Sequence, residues 1–248
     1  SQHTLRATLN ELASGKKTNF STSPALLMIG QRMLNNASTT SVANMNVSFA
    51  SSRSQTVDAF LQNTTDTLSR LKELSVQSAN GMLTDTDRDA INAEAQQLMQ
   101  HLDQTYQTAN FNGQKILQGG SEDVAVTAAG DSIEIQNGDI SRETLGLDEF
   151  DLSTQEGADA AIAALDDAID TVGNQRAEVG ANLRTLDDRY SANLDYEANL
   201  REAGSQLTDL DYAFGATQQA AAAVQSQVAI AVAAQANGLQ GAMVSGLF

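Results

Sequence analysis

Apolar residues return every three or four positions along most of this chain, and that spacing predicts helices. Leu5, Leu9 and Leu12 mark a short first helix, which Gly15, Lys16 and Lys17 stop. Residues 16–23 read as a loop. Pro24 suits the first turn of a second helix, where a missing N–H costs nothing. From about Ser41 to Ala79 a long helix is predicted by Val42, Met45, Phe49, Val57, Phe60, Leu61, Thr64, Leu68, Leu71 and Leu74. Ser51, Ser52, Arg53 and Ser54 interrupt its stripe, and Asn80-Gly81 ends it. Thr84 can cap a further helix, with Asp85 and Asp87 at the positive end of its dipole. Ile91, Ala95, Leu98, Leu102 and Thr105 form the apolar stripe of that helix, and Asn110–Gly113 turns the chain.

In the middle the period changes from about 3.6 to two. Val124, Val126, Ile133 and Ile135 alternate with other residues around Ala129-Gly130-Asp131, which predicts a β-hairpin near 122–137. Asn137-Gly138 is a second turn, and residues 139–157 look irregular. Periodicity then returns strongly. Every seventh residue from Leu165 is Leu165, Val172, Val179, Leu186, Asn193, Leu200, Leu207, Phe214, Ala221 and Val228, all apolar but one. The companion row, Ile162, Ile169, Arg176, Leu183, Tyr190, Glu197 and onward, is apolar only at its start. A helix over 157–204 would extend roughly 70 Å at 1.5 Å per residue. It must lie beside another long helix, and the 41–79 segment is the candidate. The fold class is therefore mainly α: a long antiparallel helical bundle or coiled-coil rod, with a small β-hairpin in mid-chain and both chain ends together.

The tail is chemically unusual. No charged side chain follows Asp211, yet Gln218, Gln219, Gln225, Gln227 and Gln235 interrupt it too often for a membrane span. The small residues Ala220–Ala223 allow close approach of neighbouring backbones. Such a helix is expected to be covered by other copies or by a partner. The chain also opens without an apolar leader segment or cleavage pattern.

Composition narrows the chemistry. Lys and Arg number 14 against 31 Asp and Glu, a formal charge of −17. That balance disfavours nucleic acid and anionic membranes as partners. With no Cys there is no disulfide, thiolate metal site or thiol nucleophile. The two His, His3 and His101, are too few for a common zinc site. Asp85-x-Asp87-x-Asp89 begins like a calcium loop, but Ala90 and Gln96 stand where that loop needs Gly and Glu. No nucleophile elbow, phosphate loop or dinucleotide fingerprint occurs. Neither a cofactor nor an enzyme activity is expected.

The run ELSVQSANG (73–81), followed by Asp87-Arg88, Ile91, Ala93-Glu94 and FNGQK (111–115), resembles bacterial flagellin. IAALDDAIDTVGNQRAEVG (162–180), the terminal VAAQANGLQGAMVSGLF (232–248) and the early Leu12–Lys16 and Asn19 also match. The resemblance leaves out roughly 119–157. It departs at 20–30, where FSTSPALLMIG replaces a segment usually rich in Asp, Ala and Gly, and family members carry further residues ahead of the position of Ser1.

The resemblance implies a structural subunit that self-assembles into the extracellular flagellar filament for motility. Residues 1–33 and 206–248 would form an inner coiled-coil layer, and 34–205 a rod-like layer with the hairpin. Leu5, Leu9, Leu12, Phe214, Val224, Val228, Val232, Leu239 and Leu247 would form the polymerisation interface. Implied partners are other copies of the chain, an export chaperone on the C-terminal helix, and the filament cap and hook-junction proteins. Export would run through the flagellar secretion apparatus. Matching positions further imply a contact of Arg70, Leu74, Gln77 and Glu94 with the animal Toll-like flagellin receptor. The rival readings are a hook-associated junction protein and a surface-binding protein built on the same scaffold.

Overall fold

In the computed structural model, the described residues are 9–16, 24–209 and 212–245. Helical residues 9–14 come first. Then follow α1 (Pro24–Ser78), α2 (Asp85–Thr108), β1 (Asn110–Phe111), β2 (Gln114–Lys115), β3 (Ser121–Ala125) and β4 (Ser132–Gln136). A one-turn helix α3 (Arg142–Leu145), the long α4 (Gln155–Thr208) and α5 (Tyr212–Ser245) complete the chain. Contacts divide it into one unit of residues 1–39 with 196–248 and a second of 40–195. Both chain ends thus belong to the first unit.

Pro24 is the first residue of α1, but α1 then runs unbroken for 55 residues. The expected interruption at 51–54 does not occur. Ser52 satisfies its hydroxyl on the Ser48 carbonyl one turn back, so a serine run need not break a helix. Nor is the N-terminal half of the stripe where Val42, Met45 and Phe49 place it, since these three are exposed. Buried instead are Thr40, Ala43, Val47, Ala50, Ser54, Val57, Leu61, Thr64, Leu68, Leu71, Ser75 and Ser78. Their spacing alternates three and four without a slip, a true heptad seam. Ala, Ser and Thr at these positions hide it from a hydropathy reading.

In α4 the every-seventh row holds: Leu165, Val172, Val179, Leu186 and Asn193 are all buried, and Leu200 and Leu207 half-buried. Its companion row is one residue earlier than expected, at Ala161 and Ala168, while Ala158 extends the Leu165 row and Ile169 packs at the edge. Ion pairs Lys72–Asp166 and Arg176–Asp58 show that α1 and α4 run antiparallel. α2 folds back on α1 and contributes Ile91, Ala95, Met99 and Leu102 to the same core. Met99 takes the place expected for Leu98, which is only half-buried.

Thr84 caps α2 as expected. Its Oγ1 accepts from the Asp87 amide, and Asp87 accepts from the Thr84 amide, a capping box. The hydrogen bonds from Thr84 hold the Asp87 carboxyl below its ordinary pKa. The Asn112-Gly113 turn has φ of +49° and +81°, which only a primed hairpin turn tolerates, and it joins β1 to β2. β3 and β4 pair antiparallel from Ser121↔Gln136 to Ala125↔Ser132, the expected hairpin. The segment expected to be irregular contains α3 and the start of α4. It also inserts Ile140, Leu145, Leu147, Phe150 and Leu152 into the core.

Polar groups tie the hairpin down. Buried Arg53 donates to Glu122 and Asn137, and Asn193 donates to the Val126 carbonyl at 2.7 Å. Asn44 has no such use: it is 6% exposed, and neither atom of its side-chain amide has a partner. An unsatisfied buried polar group costs about 1–3 kcal/mol. Asn44→Leu is therefore expected to stabilise the 40–195 unit by roughly 1 kcal/mol in urea unfolding followed by circular dichroism. A midpoint lower than the parent's would mean that the amide is needed.

Candidate functional site

α5 is the first candidate surface. Val224, Val228 and Val232 lie one turn apart on one side, and Ile230 faces away from them. All four are more than half exposed, between 55% and 66%. With no charged side chain from residue 212 onward, this helix has apolar groups on both sides and nothing ionic to hydrate it. Helices of that kind are normally buried. Of the other expected polymerisation residues, Leu9 is 43% exposed and Leu12 half-buried. Leu5 and Leu247 lie outside the described residues, as do the side chains of Phe214 and Leu239.

Further features of the first unit escaped the sequence. Leu26 and Met28 are exposed on α1, and a groove of about 640 Å³ opens beside Met28 between Lys16, Arg32, Asn35 and Thr208. α1 and α4 cross there through two glycines. A Cβ on Gly30 would sit 2.6 Å from Thr208 Cγ2, and one on Gly204 would sit 2.8 Å from Leu34. Hydropathy gives no weight to glycine, so this crossing had no signal.

The second candidate surface is on α1 and α2. Arg70 bonds Glu73 and Glu94, each at 2.8 Å, and these bonds raise its pKa further. Arg70, Glu94 and Gln77 are exposed. Leu74 is not. It is 1% exposed and belongs to the core with Leu71 and Ile91. The four residues therefore do not share an open face. Leu74 sits at the border of the buried stripe and turns under, leaving a polar patch of Arg70, Gln77 and Glu94.

His101 is exposed on α2, Asp87 is engaged by its cap, and no group of three His, Asp or Glu could hold a metal among the described residues.

Comparison with known proteins follows this architecture. The models for the bacterial flagellin N-terminal and C-terminal helical regions match residues 1–122 and 162–247. The Treponema pallidum flagellin FlaB2 is 31% identical over 249 residues, covering 92% of this chain and 87% of that protein. The chain belongs to the bacterial flagellin family. The crystal structure of Bacillus cereus flagellin superposes with a TM-score of 0.55 at 27% identity, over 60% of this chain and 88% of that one. A flagellar hook-associated protein of Vibrio parahaemolyticus shares the fold alone: TM-score 0.64, 15% identity, 76% of this chain and 100% of that one. The flagellin is thus a structural subunit of the flagellar filament, and its place is the extracellular flagellum. The stretch between the two family matches, 123–161, holds most of the β3–β4 hairpin and α3. Among the described residues of the flagellin no helix is long and apolar enough to cross a membrane.

Proposed function

We propose that this flagellin polymerises by burying α5 between copies, with residues 1–33 and 206–248 forming the inner layer of the filament and 34–205 the outer layer. The observation that carries this reading is the exposure of Val224, Val228, Ile230 and Val232 on a helix with no charged side chain. Burying such a side chain fully is worth about 1.5–3 kcal/mol, and a polymer repeats that gain at every subunit. Grouping of both chain ends into one unit supports a shared inner layer. Leu9 and Leu12 would join the same interface, with Leu5, Phe214, Leu239 and Leu247. No catalytic step enters the mechanism.

The test is seeded growth. Full-length flagellin is mixed with short filament seeds in assembly-promoting salt and followed by sedimentation and electron microscopy. Long uniform filaments are expected. A persistent monomer would instead favour a hook-junction or surface-binding role.

The same uncharged helix needs cover before assembly, which suits an export chaperone on α5 and passage through the flagellar secretion apparatus. At the filament ends the cap and hook-junction proteins would meet the same surfaces.

Receptor recognition is a second reading, favoured by the exposed Arg70–Glu94 pair. We expect the Arg70→Ala, Glu94→Ala double variant to lose signalling in a reporter cell bearing the Toll-like flagellin receptor. Water screens an exposed ion pair, so it adds little to stability and the fold should persist. Signalling equal to the parent's would discard this contact.

A further inference from the structure

Four Asn-Gly pairs occur in the chain, and the side chains are described at three: Asn80-Gly81, Asn112-Gly113 and Asn137-Gly138. This dipeptide can modify itself, because a glycine amide meets no side-chain obstacle when it attacks the preceding side-chain carbonyl. Reaction requires a free nucleophile, a polarised carbonyl and a backbone able to bring them together.

The three sites differ in these requirements. At Asn137 the side chain is held by Arg53 on its oxygen and by the Gly119 carbonyl on its nitrogen. The Gly138 amide, buried, donates to the Ile116 carbonyl at 3.1 Å, so the nucleophile is occupied. Asn112 and Gly113 are fixed at positive φ in the two-residue turn between paired strands, and ring closure would have to break that turn. Asn80 and Gly81 are exposed beyond the last residue of α1, in a single turn that the Leu83 amide closes on the Asn80 carbonyl at 3.1 Å and in no strand pairing. The Gly81 amide donates to no protein group among the described residues. The Met82 amide donates to Asn80 Oδ1 at 3.0 Å, on the atom where negative charge develops during attack.

We propose that Asn80 is a self-modification site of this flagellin, converted in the folded protein to aspartate and isoaspartate. The Gly81 nitrogen, losing its proton, bonds to Asn80 Cγ. The Cγ–Nδ2 bond breaks, and ammonia leaves with the proton balance supplied by solvent. Water then opens the cyclic imide at either carbonyl, and nothing is oxidised or reduced. The isoaspartate product adds one backbone atom to the link between α1 and α2. In it the Asn80 main-chain carbonyl, to which buried Arg88 donates at 3.1 Å, becomes a free, charged carboxylate.

The experiment is peptide mapping by mass spectrometry, with isoaspartate detection, of purified monomer kept warm at mildly alkaline pH. In the folded protein Asn80 should lose its amide at least about ten-fold faster than Asn137. In guanidinium the two sites should converge, since only structure distinguishes them. Asn137 keeping pace in the folded protein would overturn the proposal, as would an intact Asn80 there while the denatured chain reacts. Gly81→Ala supplies a second check. Its Cβ would meet nothing nearer than Gln155 at 3.7 Å, so folding is undisturbed. The Asn80 reaction should slow about ten-fold while Asn112 and Asn137 stay unchanged. A rate equal to the parent's would show that Gly81 is not the nucleophile.

Discussion

Val228→Asp should abolish filament growth and leave the 40–195 unit folded. Val228 is 55% exposed in the single chain, so a carboxylate there costs the monomer little. It lies between Val224 and Val232 on one side of α5, the side that is enclosed when α5 gains neighbours. Enclosing an unpaired carboxylate costs several kcal/mol at each subunit, and the growing end cannot offset it. Each copy also brings one more negative charge to a chain already at −17. Added salt would screen the repulsion between copies but not the desolvation, so salt should not rescue growth. Val228→Ala separates the two causes: it removes apolar area without charge and should slow elongation while filaments still form. The readouts are sedimentation and electron microscopy of seeded reactions, with circular dichroism to show that the monomer is intact. Normal filaments from the Asp variant would refute burial of α5.

Side-chain size decides which parts of the fold are legible in the sequence. Where a seam is built from large aliphatic residues, periodicity exposes it. Leu165, Val172, Val179 and Leu186 mark the buried edge of α4, and Leu61, Leu68 and Leu71 mark that of α1. Where the seam is built from Ala, Ser and Thr, the largest apolar residues mislead. In the first half of α1, Val42, Met45 and Phe49 stand out in the sequence yet face away from the core, and Thr40, Ala43, Ala50 and Ser54 face in. Small residues there serve close packing rather than area burial, a contribution that hydropathy does not register. Local chemistry was easier to read. The Thr84 cap, the Asn112-Gly113 turn and the hairpin each depend on a few neighbouring residues whose backbone demands are specific. The candidate surfaces divided along the same line. Exposure of Val224 to Val232 follows from an uncharged helix, whereas burial of Leu74 depends on α2 packing over it, a long-range fact that spacing along α1 cannot supply.

The glycine crossing is the clearest case of a feature without a hydropathy signal, and it should be the least tolerant of change. Gly30→Val is expected to loosen the packing of α1 against α4 within the first unit and to stop assembly. Added atoms at position 30 would collide with Thr208 Cγ2 at 2.6 Å and Leu207 Cβ at 3.0 Å, and would press on the Gly204 carbonyl at 3.3 Å. A rotamer change can move the Thr208 methyl, but Leu207 Cβ and the Gly204 carbonyl are fixed to the α4 backbone. The helices must therefore separate. Overpacking of this kind costs about 1–3 kcal/mol, and the β-branched valine adds a small loss of helix propensity. Separation also weakens the contact of Leu34 with Gly204, so Gly204→Val should produce the same defect from the opposite side. Hydrogen exchange gives the decisive reading. Amides in 24–39 and 196–208 should exchange faster in either variant, while Leu61, Leu68 and Leu165 in the other unit keep the parent's protection. Combining the two substitutions should cost less than their sum, because once the helices have parted the second side chain meets nothing. Unchanged exchange in 24–39 would show that the backbones do not need to approach so closely.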